Sequence, residues 1–142
     1  MGAGLYLHVP FCRRKCPYCN FYSVPAQPEL LTAYTAAVCR NLRHYGNAAQ
    51  PERVDTVYFG GGTPSLLPPA QIAQILETAA EQFALSADAE ITLEANPATV
   101  TPEQLRELRH AGINRLSLGV QSLSDAQLKR LGRLHTAQEA VE

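Results

Sequence analysis

The stretch GLYLHVPFCRRKCPYCNFYS, residues 4–23, runs a short alternating segment directly into three closely set cysteines. From Gly4 to Val9 apolar residues alternate with Tyr6 and His8, which predicts a strand, and Pro10 is expected to end its pairing just before the first cysteine. Cys12, Cys16 and Cys19 then fall on a loop at the strand's C-terminal end. A strand that delivers a reactive loop at its C-terminal end is the opening unit of a β/α protein, and the rest of the chain repeats that unit.

Leu30, Leu31, Tyr34, Val38 and Leu42 recur at helical spacing. They predict a helix over 29–45, with Gly46 suited to stopping it. VDTVYFGGGTP, from Val54, is a β-branched and aromatic run closed by three glycines, and Pro69 to Phe83 follows as an amphipathic helix through Ile72, Ile75, Leu76 and Ala79. AEITLEANP is a third strand closed by Pro97. Thr101-Pro-Glu-Gln104 carries a cap, a first-turn proline and Gln at the third position, which starts a helix running to Gly112. INRLSLGVQ is a fourth strand, and Ser124 with Gln127 opens a helix ending near Gly132.

Strand and helix thus alternate four times with short connections, the pattern of an α/β fold with a parallel sheet and right-handed crossovers. Four units make half of a barrel or a small open sheet. Thr136-Ala-Gln-Glu139 is a further capping box with three residues after it. The expectation is therefore one domain over 1–142 that is incomplete at its C-terminus.

A chain of 142 residues is long enough to bury a core. With 46% apolar and 18% charged residues, it is not a disordered or highly charged tail. The net charge of −1 gives no case for a nucleic-acid partner. Residues 1–50 nevertheless carry five Lys/Arg against one Glu, so the cysteine segment is locally basic. No apolar run reaches the length of a membrane span, and residues 4–11 are too short and wrongly flanked for a signal peptide. The expected location is the cytoplasm. In a reducing compartment clustered cysteines are metal ligands or redox groups more often than disulfides.

Three thiolates on one loop can bind three irons of a cubane cluster and leave the fourth iron open. A structural zinc site needs four ligands and would have to recruit His8 or Cys39. The spacing favours the cluster, with zinc as the alternative. Cys39, apart in YTAAVCRNL, reads as a small buried apolar residue on a helix. The turn Gly60-Gly-Gly-Thr-Pro64 can serve either as a tight turn or as a backbone surface that approaches a ligand closely; it lacks the spacing of a nucleotide-phosphate loop. Glu94 and Gln121 fall at the ends of the third and fourth strands, the face where ligand sites of barrels concentrate. His44, His110 and Asp125 read as structural or solvated, and His135 carries no expected chemistry.

Cys12-Arg-Arg-Lys-Cys16-Pro-Tyr18-Cys19 matches the CxxxCxxC signature of the radical S-adenosylmethionine (SAM) superfamily. LYLHVPFC, YFGGGTPS, LEANP, LSLGVQS and LGRLHT follow in the order seen in the oxygen-independent coproporphyrinogen III oxidase-like family, so the resemblance covers nearly the whole chain. It implies the N-terminal part of a partial (β/α) barrel. It also implies a 4Fe-4S cluster on Cys12, Cys16 and Cys19, and SAM chelating the open iron and cleaved by an electron from the cluster to a 5′-deoxyadenosyl radical. By the same resemblance Gly61, Gly62 and Thr63 contact the amino-acid end of SAM, Tyr6, Glu94, Gln121 and Arg133 contact SAM, and Tyr18 lies beside the cluster.

Within that family the porphyrinogen-oxidising branch carries a further cysteine where this chain has Phe21. The sequence is more similar to the heme-chaperone branch, although Asn20 stands where that branch commonly has Asp, and its His-Asn-xxx-Tyr element does not occur in these residues. The resemblance implies heme or a porphyrinogen as ligand and a heme-accepting respiratory protein as partner. The alternatives are a coproporphyrinogen III dehydrogenase and a zinc-binding interaction module.

Overall fold

The computed structural model describes residues 2–48 and 53–142. Four strands form the main sheet: β1 (Ala3–Val9), β4 (Arg53–Gly61), β5 (Ala84–Ala95) and β6 (Arg115–Leu118), all parallel and in the order β1-β4-β5-β6. Two short strands, β2 (Phe11–Cys12) and β3 (Val24–Pro25), pair beside it. The helices are α1 (Pro28–Ala48), α2 (Pro69–Gln82), α3 (Pro102–His110), α4 (Asp125–Arg130) and α5 (Ala137–Val141). Spatial order follows chain order without reversal. That is the winding of a barrel, whereas a doubly wound sheet switches direction midway.

The sheet has two unlike faces because side chains alternate along each strand. One register row, Leu7, Phe59, Leu93 and Leu116, belongs to the apolar face; the adjacent row, Tyr6, Tyr58, Thr92 and Arg115, belongs to the other. The core joins the apolar rows to Cys39 and Leu42 of α1, Ile72, Ile75, Leu76 and Ala79 of α2, and Leu108 of α3. Val57, Phe59, Leu93, Ile72 and Ile75 are fully buried there. The opposite face carries hydroxyls, carboxylates and an arginine, so a parallel sheet that would ordinarily be covered on both sides presents a polar surface.

Several boundaries differ from those the sequence suggests. Gly46 lies inside α1 instead of ending it. A Cβ there would sit 2.5 Å from the Gln82 Cβ and 2.9 Å from its carbonyl oxygen, so glycine serves the close approach of α1 to the end of α2. β5 begins earlier than AEITLEANP, at Ala84, and its register against β4 shifts between Val54 and Thr56. Pro10 ends the pairing of β1 with β4, whose last partner pair is Val9 and Gly61, as expected; its carbonyl nevertheless accepts the Val24 N–H at 2.7 Å, and a separate short strand, β2, starts at Phe11. Cys12 therefore lies within β2.

The capping boxes at Thr101/Gln104 and Thr136/Glu139 form as expected. Ser124 precedes α4 without a side-chain cap; Ser122 instead donates to the Gln127 side chain at 2.6 Å and accepts the Ser124 N–H at 3.1 Å. Among the described residues no helix is long and apolar enough to cross a membrane.

Candidate functional site

The cysteine loop is pinned at its base. Phe11 is buried, packs edge-on against Tyr34 with ring centroids 5.4 Å apart, and Tyr34 donates its hydroxyl to the His8 carbonyl at 2.7 Å. Burial, with a smaller contribution from nearby Tyr6, pushes the Tyr34 phenol up to about 12. The loop closes through Val24 N–H to Pro10 O and Ala26 N–H to Cys12 O, while Cys19 N–H donates to Cys16 O at 3.0 Å and makes a turn between those two cysteines. Cys12, Cys16 and Cys19 are half-buried, whereas Cys39 is buried in the core as the sequence suggested.

The glycine turn at the end of β4 rests on this loop. Gly62 N–H donates to Val9 O at 2.8 Å and Thr63 N–H to Phe11 O at 2.7 Å. A Cβ on Gly62 would lie 2.5 Å from the Phe11 carbonyl oxygen, so this glycine is required by the chain's own backbone before any ligand is considered. Gly61 has φ +117°, a conformation that disfavours any side chain. Its N–H donates to one oxygen of Glu94 at 3.1 Å, and the Tyr58 hydroxyl donates to the other at 2.7 Å. The hydrogen bond to Glu94 holds the Tyr58 phenol above its ordinary value, with burial adding to it.

A cavity of about 310 Å³ opens between the cysteine loop and the C-terminal ends of the strands. Cys12, Cys16, Cys19, Tyr18, Gly61, Gly62, Thr63, Glu94, Gln121 and Arg133 all line it. Of the residues that the resemblance assigns to the cluster and SAM, Tyr6 is the one not brought to its wall. Tyr6 stacks on Tyr58 with centroids 6.1 Å apart, and its hydroxyl lies 3.2 Å from His8 Nδ1. Burial first and Glu94 second raise its phenol. The Tyr18 phenol is also raised, by burial and then by Cys16 beside it. Gln121 has φ 69°, the one non-glycine residue in the left-handed region among the described residues; such strain concentrates at ligand-binding positions.

Arg133 reaches back to the loop. Its Nη1 donates to Cys16 Sγ at 3.6 Å and its Nη2 to Gly119 O at 2.6 Å and to Asn96 Oδ1, while its buried Nε has no partner among the described residues. His135 is buried with Nε2 3.0 Å from Val120 O, a structural contact that holds the segment carrying Arg133.

Among the described residues, no three His, Cys, Asp or Glu side chains gather as ligands of one ion. His8 contacts Tyr6 and the Tyr22 carbonyl, and Cys39 is in the core, so neither completes a fourfold zinc set. A cubane makes a different demand, since each thiolate binds a separate iron and the three need only surround one chamber. Three soft donors around a cavity walled by glycine backbone, a carboxylate and an arginine fit that group.

Sequence reading missed Tyr58, Asn96, Ser117 and Gly119 in or beneath this wall. For Asn96 the signal was present, because it follows Glu94 by two residues and period-two alternation predicts the same side of the strand. Tyr58 was hidden inside an apolar-looking run, and only its pairing with Tyr6 and Thr92 places it on the polar face.

Comparison with known proteins bears on the family and the fold. The family model for the radical SAM superfamily matches residues 6–142. The heme chaperone HemW of Escherichia coli is 44% identical over 138 residues, 96% of this chain and 36% of that protein. The mitochondrial radical S-adenosyl methionine domain-containing protein 1 of Mus musculus is 44% identical over 98% of this chain and 31% of its own length. The solved structure of coproporphyrinogen III oxidase (HemN) from Escherichia coli, a radical SAM enzyme, superposes with a TM-score of 0.87 at 31% identity, covering 96% of this chain and 32% of that one. The chain thus spans about a third of the length of the relatives it matches.

Proposed function

The chain belongs to the radical SAM superfamily, and we propose that it is the N-terminal part of a heme chaperone whose Cys12, Cys16 and Cys19 hold a 4Fe-4S cluster beside a SAM site. The single observation that carries the cofactor reading is the convergence of the three cysteines, the Gly61–Thr63 turn, Glu94, Gln121 and Arg133 on one cavity. When bound, the cluster supplies the electron that cleaves the sulfonium of SAM.

The protein's contribution is placement. The backbone of Gly61 and Gly62 forms a wall without side chains, and Glu94, held on both oxygens, would offer a carboxylate at a defined position to the amino-acid end of the ligand. Arg133 sets a positive charge behind the loop. Tyr18 and Phe21 also line the cavity, and both are exposed to solvent. In this reading Tyr6 acts through Tyr58 and Glu94 instead of touching SAM.

The heme-chaperone assignment is supported by the name and 44% identity of the bacterial relative and by Phe21 at the position of a further cysteine in the porphyrinogen-oxidising branch. Heme, its acceptor in respiration and a cytoplasmic location belong to this proposal. A coproporphyrinogen III dehydrogenase is the second reading, favoured by the HemN superposition.

Anaerobically reconstituted full-length protein separates the two. The proposal expects stoichiometric heme binding and no protoporphyrinogen IX from coproporphyrinogen III; steady formation of that product overturns it. The donor geometry does not favour the zinc module.

A further inference from the structure

We propose that Thr63, Asn96 and Arg133 form a single directed hydrogen-bond network that feeds two of the three cluster thiolates and raises the cluster's reduction potential. The inference rests on the cluster reading above.

Donor and acceptor chemistry fixes the direction of every bond. A guanidinium can only donate, so the amide end of Asn96 that meets Arg133 Nη2 must be Oδ1. The NH2 of Asn96 is then turned to Thr63, and its Nδ2 lies 3.2 Å from Thr63 Oγ1. Thr63 Oγ1 accepts that bond, and its one proton is left for Cys12 Sγ, 3.7 Å away. Arg133 completes the pattern with Nη1 on Cys16 Sγ at 3.6 Å. Asn96 is thus the hinge of the network. It orients the Thr63 hydroxyl toward one thiol and helps hold the guanidinium against the other, although it touches neither sulfur.

The arrangement is held from outside. Thr63 is buried at 4% exposure, and Arg133 is anchored on the Gly119 carbonyl. A Cβ on Gly119 would lie 2.8 Å from Asn96 Oδ1 and 3.3 Å from Arg133 Nη2, so the glycine leaves room for the junction. Reduction adds one negative charge to the cluster and its thiolates. Donors aimed at those sulfurs, one of them cationic, stabilise the reduced form more than the oxidised form. Cys19 has no such donor on its sulfur in the network, so the bias acts on the Cys12 and Cys16 sides.

The test is a redox titration of the reconstituted full-length protein without SAM, with dithionite as reductant and the reduced-cluster paramagnetic signal as readout, after iron and sulfide have been measured in each variant. Thr63→Val keeps the shape and removes the hydroxyl. At the wild-type midpoint its ratio of reduced to oxidised cluster should fall about fivefold, the worth of one hydrogen bond. Thr63→Ser should restore the ratio to within about twofold. Asn96→Ala, which removes no group in contact with a thiol, should fall at least as far as Thr63→Val because both arms lose their orientation.

A wild-type midpoint or a positive shift in Asn96→Ala with full cluster content overturns the network. A wild-type protein that holds no cluster overturns the cofactor reading instead, so the two failures are distinct.

Discussion

Replacing Gly62 with alanine adds one methyl group at the point where the end of β4 lies on the cysteine loop. That carbon would stand 2.5 Å from the Phe11 carbonyl oxygen and 3.0 Å from its carbonyl carbon and nitrogen. Every close atom is backbone, so no side chain can swing aside, and relief requires the two segments to part by several tenths of an ångström. The bonds from Gly62 N–H to Val9 O and from Thr63 N–H to Phe11 O would stretch with them. Overpacking of this kind costs about 1–3 kcal/mol, and weakening two backbone bonds adds about 1 kcal/mol. A loss of roughly 2–4 kcal/mol is a large part of the stability of an ordinary domain.

The assay is urea unfolding of the iron-free full-length protein, followed by iron content after reconstitution. Gly62→Ala should unfold at clearly lower urea with an unchanged slope and should hold less iron, because the base of the loop is displaced. An iron-free stability equal to wild type, with only SAM affinity reduced, would refute this reasoning and return Gly62 to a purely ligand-facing role.

Removing the Tyr58 hydroxyl with Tyr58→Phe keeps the ring on Tyr6 but leaves Glu94 held by Gly61 N–H alone; SAM affinity measured by calorimetry should fall about threefold to tenfold with cluster content unchanged. Tyr34 makes stability depend on alkaline pH. Its phenol is raised from 10.0 to about 12 on folding, so the contribution is fully present below pH 10 and is lost as pH rises through about 12. Denaturation midpoints across that range should fall more steeply in the wild type than in Tyr34→Phe, and identical slopes would contradict the assignment. Residues 1–142 expressed alone should self-associate, because among the described residues β6 pairs only with β5, and its Leu116 and Leu118 are exposed. A monodisperse monomer that unfolds cooperatively would show that these units are a complete domain.

What the sequence made legible was whatever is encoded by local periodicity. The alternation of Gly4–Val9, the helical spacing of Ile72, Ile75 and Ala79, and the Thr101/Gln104 box each depend on neighbours a few residues away, and each formed where expected. Features that depend on a distant partner were not legible. Gly46 reads as a stop until Gln82 lies against it, and the pairing of Phe11 with Val24 has no signal in the residues around either. The site divides in the same way. The cysteine spacing is local and announced itself, while the two-sided grip on Glu94 and the bridge from Arg133 through Asn96 to Thr63 join residues that are 33 to 37 positions apart.

The central claim is that one cavity holds a cluster with an open iron and SAM against it. It is tested most directly by iron and sulfide analysis of anaerobically reconstituted full-length protein, together with the paramagnetic spectrum of the reduced cluster before and after SAM is added. The wild type should hold about four iron and four sulfide per chain, Cys12→Ser should lose them, Cys39→Ser should keep them, and SAM should change the spectrum. Stoichiometric zinc in place of iron, full iron content in Cys12→Ser, or a spectrum indifferent to SAM would contradict the account.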